Sequence, residues 1–355
     1  MLHPILVALL LGPSGLCPTC THMQAQRAIH TATRLADGRV LIAGGMVHNH
    51  AVLATAELYD PATSEFSMTG GMPEPRMSHS ATLLKDGRVL LAGGYSGDGR
   101  IYRSALLYDP KTGQFTPTGD LAVPRAEASA TLLPDGRVLI AGGVDGPGEV
   151  ATQSAELYDP ATGRFMPTGA MSVARAYHIA SVLPDGRVLI AGGEPDLQHT
   201  LSSAEIYDEP TGKFTPVGDM TGARRKAAAA VLPDGRVLVV GGSGNDDWQG
   251  KLKTAEIFDP ATQKFHATGE LHEARYKIVH AVVTLDDGRV LVAGGGEGYE
   301  VYDPAHGVFT PVHGALSAAR YYSTATALDG HRVLIAGGYG DDARESAWSV
   351  QVLPM

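Results

Sequence analysis

The chain has 355 residues, a formal net charge of −10, 44% hydrophobic and 19% charged residues. That balance is ordinary for a globular protein, and the acidic sum argues against nucleic-acid binding through a basic surface. The 44 glycines and 22 prolines fall mostly at fixed places in a repeat, so they read as turn residues and not as low complexity.

Residues 4–11 form a short apolar run, followed by Gly12-Pro13-Ser14-Gly15. The run is too short to span a membrane and reads as the core of a secretory signal peptide. Residues 1–22 are therefore expected to be a signal peptide or N-terminal extension, and the protein secreted, periplasmic or held at the cell surface. No Lys or Arg precedes the run, and a cleavage after Ala25 or Gly15 would have Met23 or Pro13 at the minus-three place, neither a small residue. The alternative is a cytoplasmic protein starting at Met23. The two cysteines, Cys17 and Cys20, both lie here. They lack a βαβ context and a second pair, so no redox or metal role is assigned, and no disulfide holds the rest of the chain.

From Arg27 onward the chain repeats. Asp-Gly-Arg-Val-Leu-Ile-Ala-Gly-Gly stands at 37–45, 135–143 and 185–193, with close variants at 86–94, 234–242, 287–295 and 330–338. Self-similarity at a period near 50 residues marks one continuous repeat body and not separate domains. In the unit 125–171, residues 128–133 read as a first strand and 134–136 as a turn. Residues 137–141 form an apolar run ending at Gly142-Gly143, a strand buried on both faces. A loop of variable length leads to a third strand at 154–158, a turn at 159–163 and a fourth strand at 164–168 with Pro167 marking an edge. Short strands between turn signals every 8 to 12 residues mean all-β structure.

Gly-Gly after an apolar strand, Tyr-Asp-Pro after the third strand (Tyr59, Tyr108, Tyr158) and an aromatic in the fourth (Phe66, Phe115, Phe165) together resemble kelch repeats. The resemblance covers residues 27–353. It implies an all-β, seven-bladed kelch β-propeller with four antiparallel strands per blade, similar to the central propeller of galactose oxidase-like proteins, with 23–355 as a single domain. The seventh unit ends without a fourth strand. Phe66, Phe115 and Phe165 each lie ten residues before an Arg, as Cys17 lies ten before Arg27. Residues 17–21 are thus a candidate closing strand. Gly294-Gly295-Gly296-Glu297-Gly298 is no nucleotide loop, because no helix follows it.

Antiparallel connectivity puts the Asp-Gly-Arg turns on one face, nearly identical from unit to unit. The opposite face carries the differences and is the candidate functional face. Three residue sets sit there. An arginine enters each first strand, at Arg27, Arg76, Arg125, Arg175, Arg224, Arg275 and Arg320. These are candidates for an anion-attracting ring, the alternative being that each braces its own blade with an acidic partner. The unlike loops after each Gly-Gly contribute Tyr102 and Trp248, suited to stacking on a sugar or peptide, and His48 and His50. Asp246-Asp247 and Asp341-Asp342 match no calcium-loop spacing and read as solvated acids. Counting back fourteen residues from each Gly-Gly finds His30, His79, His178 and His280. A metal needs such convergence, but strand side chains alternate, so packing between blades is the competing reading.

These features favour a non-catalytic binding module that recognises a protein or glycan on the loop face, with no cofactor. The alternatives are a galactose oxidase-like oxidase and a kelch-type sugar epimerase. The first needs a Cys-crosslinked Tyr, which a repeat body without cysteine does not supply. The second needs an acid or histidine base in a defined constellation.

Overall fold

The computed structural model describes residues 21–47, 50–146, 148, 150–246, 249–312, 319–329, 332–340 and 349–354. Four consecutive apolar residues are stable in a strand only where both faces are covered. Val138–Ala141 meets that condition with all four side chains buried, as do Val40–Ala43, Val89–Ala92, Val188–Ala191, Val237–Val240 and Val290–Ala293. Each is the second strand of an antiparallel sheet. In the third sheet Ser129–Leu132 pairs with Val138–Ala141, which pairs with Ala155–Asp159, which pairs with Arg164–Pro167. These bounds agree with the sequence reading to within one residue.

Six sheets are built this way from four consecutive strands, at residues 31–68, 80–117, 129–167, 179–216, 228–267 and 282–312. They are blades one to six of a β-propeller. A further four-stranded sheet, blade seven, joins the two ends of the chain: Thr324–Ala327, Arg332–Ala336, Ser349–Pro354 and, at its edge, Thr21–His22. At that edge Thr21 pairs with Val350 and His22 with Ser349; of the anticipated closing strand 17–21, residues 17–20 lie outside the described residues. Cys17 and Cys20 lie outside the described residues.

The core sits between blades. Leu41, Ala43 and Leu58 of blade one pack with Val89, Leu91 and Tyr108 of blade two, and the pattern continues around to Val40, Ile42 and Tyr59 against Leu334 and Ala336 of blade seven. Burying one such Leu or Ile contributes about 1.5–3 kcal/mol. In six blades the third-strand aromatic meets the outer-strand phenylalanine, as for Tyr158 and Phe165 at 4.8 Å between ring centres. In blades two, three, four and six the tyrosine hydroxyl then reaches a threonine of the preceding blade, as Tyr158 to Thr118 at 2.8 Å and Tyr207 to Thr168 at 2.8 Å. Where blade five has Phe258, the preceding blade has Val217 packed in the same apolar cluster. Donor and acceptor disappear together.

Gly-Gly has a close-approach reason. At Gly142, with φ of +61°, an added Cβ would lie 2.2 Å from the Arg175 carbonyl of the next blade. The N–H of Gly143 donates to that same carbonyl at 2.9 Å. Outer strands are exposed and carry Pro117, Pro167 and Pro216, which block edge pairing. Among the described residues no helix is long and apolar enough to cross a membrane.

A candidate binding face at the channel mouth

The first strands face a central channel, which holds a cavity of about 300 Å³. At its mouth on the loop face, the second residue after each arginine adopts a left-handed backbone: Ile29, Ser78, Glu127, Tyr177, Lys226, Lys277 and Tyr322, with φ between 52° and 57°. The cause is a belt of hydrogen bonds from blade to blade. Glu127 N–H donates to the Ser78 carbonyl at 3.1 Å, Lys226 N–H to Tyr177 at 3.0 Å, and Tyr322 N–H to Lys277 at 2.9 Å. The conformation thus belongs to the scaffold, but the residue choice does not. Glycine or asparagine would fit without strain, whereas other residues in the left-handed region cost on the order of 1–3 kcal/mol each.

The lip is also lopsided. The residue after each arginine bridges to the first loop residue: Ala28 with Met46, Met77 with Tyr95 and Ala126 with Val144 in blades one to three. In blades four to seven this tier turns polar and aromatic, with Ala176 and Glu194, Arg225 and Ser243, and Tyr321 and Tyr339. Arg225 and Glu194 form a buried ion pair between blades four and five. Lys226 lies 4.8 Å from the Tyr177 ring centre. Ser78 donates to the Glu127 carboxylate.

The arginine ring is corrected. Arg27, Arg76, Arg125, Arg175, Arg224 and Arg275 are 0–2% exposed, and Arg320 is half-buried. Each of the six turns inward to its own blade: Arg125 donates to the Gly142 carbonyl at 2.8 Å and the Ser154 carbonyl at 2.9 Å, and meets the Glu156 carboxylate at 3.0 Å. Glu57, Glu205, Glu256 and Glu300 repeat that partner. The acid also accepts backbone N–H groups, for Glu57 those of Gln24 and Ala25 at 2.7 and 3.1 Å. Bracing is what these residues do. Blade two differs, because Leu106 stands where the others have Glu. There Arg76 lies 4.9 Å from the ring centre of Tyr102. Tyr102 is 5% exposed and also approached by Arg100, so it is no stacking platform. His50 is exposed in its loop. His48, Trp248, Asp247, Asp341 and Asp342 lie outside the described residues.

The histidine set is corrected too. His30, His79 and His178 are buried between blades, their Nε2 atoms bonded to hydroxyls of the neighbouring first strand: Thr324 at 3.2 Å, Thr31 at 3.0 Å and Ser129 at 2.9 Å. Burial and then the charge of Arg76 lower His79 to about 3, and burial with Arg175 does the same for His178. His280 is not their equivalent. Blade six carries two extra residues between Arg275 and its Gly-Gly, and Ile278 fills the histidine place against Gly241. The insertion closes as a turn, Ala281 N–H to the Ile278 carbonyl at 2.8 Å, and puts His280 on the cavity wall, open to the channel.

Blade six is irregular on the loop face as well, its loop cut to residues 296–298. Lys251 of blade five reaches across the gap to the Tyr321 hydroxyl of blade seven, at 2.9 Å. Lys277 reaches the Tyr339 hydroxyl, also at 2.9 Å. Sequence reasoning passed over these lysines and tyrosines. The signal was present in the one first-strand spacing of 19 and the one short loop.

The Kelch motif family matches residues 224–271. No match is found among curated proteins. A solved structure, a novel fungal alcohol oxidase of the AA5 family in complex with copper, superposes with a TM-score of 0.75 at 19% identity, over 94% of this chain and 75% of that one. The likeness is one of fold. Among the described residues no three His, Cys, Asp or Glu side chains converge to hold a metal, and three of the four candidate histidines spend Nε2 on hydroxyls.

Proposed function

We propose that this β-propeller, matched by the Kelch motif family at residues 224–271, is a binding module which takes a protein or glycan ligand on the loop face, centred on the channel mouth. Seven blades and a closed ring give a rigid frame for that mouth. One observation carries the reading: seven left-handed lip positions hold seven non-glycine residues, of five kinds, around a cavity. Strain kept in unlike side chains at one place points to use by a ligand. Tyr177 and Tyr322, half-buried on the cavity wall, suit stacking, and Glu127 suits hydroxyl or amide donors. The apolar run at residues 4–11 supports export, so the ligand is expected outside the cytoplasm.

Glycan and peptide arrays test the reading. Ligands found there should bind Glu127→Gln or Tyr322→Ala at least about tenfold more weakly, the loss of one or two hydrogen bonds or a stacking contact, with the unfolding temperature within a few degrees of the parent. Full affinity in both variants contradicts it.

A further inference from the structure

Blade six also breaks the repeat inside the channel. Its first strand carries Val279 and His280 as two extra residues after Ile278. The regular ladder resumes at once. The Ala281 carbonyl accepts from the Ala293 N–H at 2.8 Å, and Val282 pairs with Val292. The insertion is a fixed bulge and not a loose loop. Before it, Ile278 N–H donates to the Lys226 carbonyl of blade five at 3.3 Å. Within it, the His280 carbonyl accepts from the Ala325 N–H of blade seven at 2.8 Å. Backbone from both neighbouring blades thus holds it. A bulge in a strand re-aims the side chain that it carries.

The side chain carried here is an imidazole on the wall of the 300 Å³ cavity. His30, His79 and His178 spend Nε2 on hydroxyls, whereas the His280 ring has no hydrogen-bond partner among the described residues. Alanines of blades two to five, Ala81, Ala130, Ala180 and Ala229, give the cavity its room. Glu127, at the mouth, is the only charged side chain among the described residues that line it. Lys226 and Lys277 stand in the same lip but outside the lining. Burial holds the His280 imidazole below its ordinary value, so it is neutral at pH 7. A neutral imidazole donates one hydrogen bond and accepts another. A hydroxyl, itself donor and acceptor, matches it. An ion carried past the mouth would lose its water with no counter-charge to meet. A volume of about 300 Å³ is at the low end for small-molecule sites, room for one sugar-sized unit and not for a folded partner.

We propose that the channel is a pocket for one uncharged, hydroxyl-bearing unit of monosaccharide size, and that His280 is the residue that reads its hydroxyl. The unit enters through the mouth, so the proposal rests on the loop face being the binding face. A free sugar and the end of a glycan chain bring the same chemistry to this pocket.

Histidine ring resonances of the full chain test it, with that of His280 assigned by its absence in His280→Gln. The probes are one frame in three charge states: glucose, glucuronate and glucosamine. Glucose should shift the His280 resonance and saturate. The two charged sugars should bind about tenfold or more weakly, because each must bury a charge. His280→Ala should weaken glucose by about three- to tenfold, the loss of one hydrogen bond. His280→Gln, whose amide both donates and accepts, should keep part of that affinity. The ring is open to the channel and backbone alone anchors the bulge, so both variants should unfold within a few degrees of the parent. An oligosaccharide ending in glucose that binds more tightly than glucose supports a glycan end, and one that binds more weakly supports a free sugar. No shift of His280 with glucose, tighter binding of a charged sugar, or equal affinity in the parent and His280→Ala overturns the proposal. Array ligands that depend on Glu127 and Tyr322 but not on His280 would sink the pocket and leave the binding face standing. A His280 resonance shifted by glucose, with no array ligand at all, would do the reverse.

Discussion

Two sets of cations lie on the loop face of this propeller, fully buried arginines and buried or half-buried lysines. The arginines recur in every blade, and five of the six fully buried ones close on a glutamate and the Gly-Gly carbonyl of their own sheet. The lysines of blades five and six occur once each and rest on tyrosines. The arginines show what a repeat needs: charge offset within the blade and nothing offered outward. The lysines show what it does not need. Position in the repeat separates frame from site better than residue type does.

The largest test strikes the arginine side. Arg125→Ala leaves the Glu156 carboxylate buried without its charge partner, a defect worth about 3–5 kcal/mol. Chemical denaturation should show that loss, while Lys251→Gln changes stability by less than about 1 kcal/mol. Equal effects would erase the distinction. Acid should act next, and on the repeated positions. His79 and His178, held at about 3 by burial and a neighbouring arginine, contribute stability in full above their unfolded value near 6.5 and lose it as pH falls toward 3. At pH 5 the loss is on the order of 2 kcal/mol per histidine. Asp234, whose carboxyl Arg236 holds below its ordinary value, adds its loss only below about 3.8. A flat stability profile from pH 7 to 5 would contradict this, and His178→Gln should flatten part of the slope.

A smaller effect belongs to the Thr–Tyr contact between blades. Val217→Thr sets a hydroxyl against the Phe258 ring, which offers none in return, and should cost up to about 1 kcal/mol. Phe258→Tyr in the same chain should recover most of it, a coupling that a double-mutant cycle reads directly. Smallest is the lip. Ile29→Gly relieves a β-branched residue at φ of 55° and should raise stability by about 1 kcal/mol, against the usual direction for a core-to-glycine change. A loss of stability there would mean that the lip residues serve the frame.

The frame was legible because it is written seven times. Val-Leu-Ile-Ala with no polar member allows only a strand covered on both sides, and glycine pairs at a period near 50 fix where each sheet ends. Even the N-terminal closure followed from phase, though two-residue pairing at Thr21–His22 is too short to locate by counting. The site was legible only where the count failed. Counting back from Gly294 matched His280 to His30, because the ruler assumes equal spacing; two inserted residues put Ile278 in that place and turned His280 to the channel. The arginines looked like a ring because sequence shows their period and not the direction of their side chains. That direction is set by Glu57 and its equivalents thirty or so residues on. Lys251 and Tyr321 are 70 residues apart, and their meeting depends on a loop between them being short.

The most direct test of the account compares the parent and Tyr322→Ala on one glycan and peptide array, each with its thermal unfolding midpoint measured alongside. The account predicts a folded variant, its midpoint within a few degrees of the parent, that loses the parent's ligands. A folded variant that keeps every ligand would contradict it.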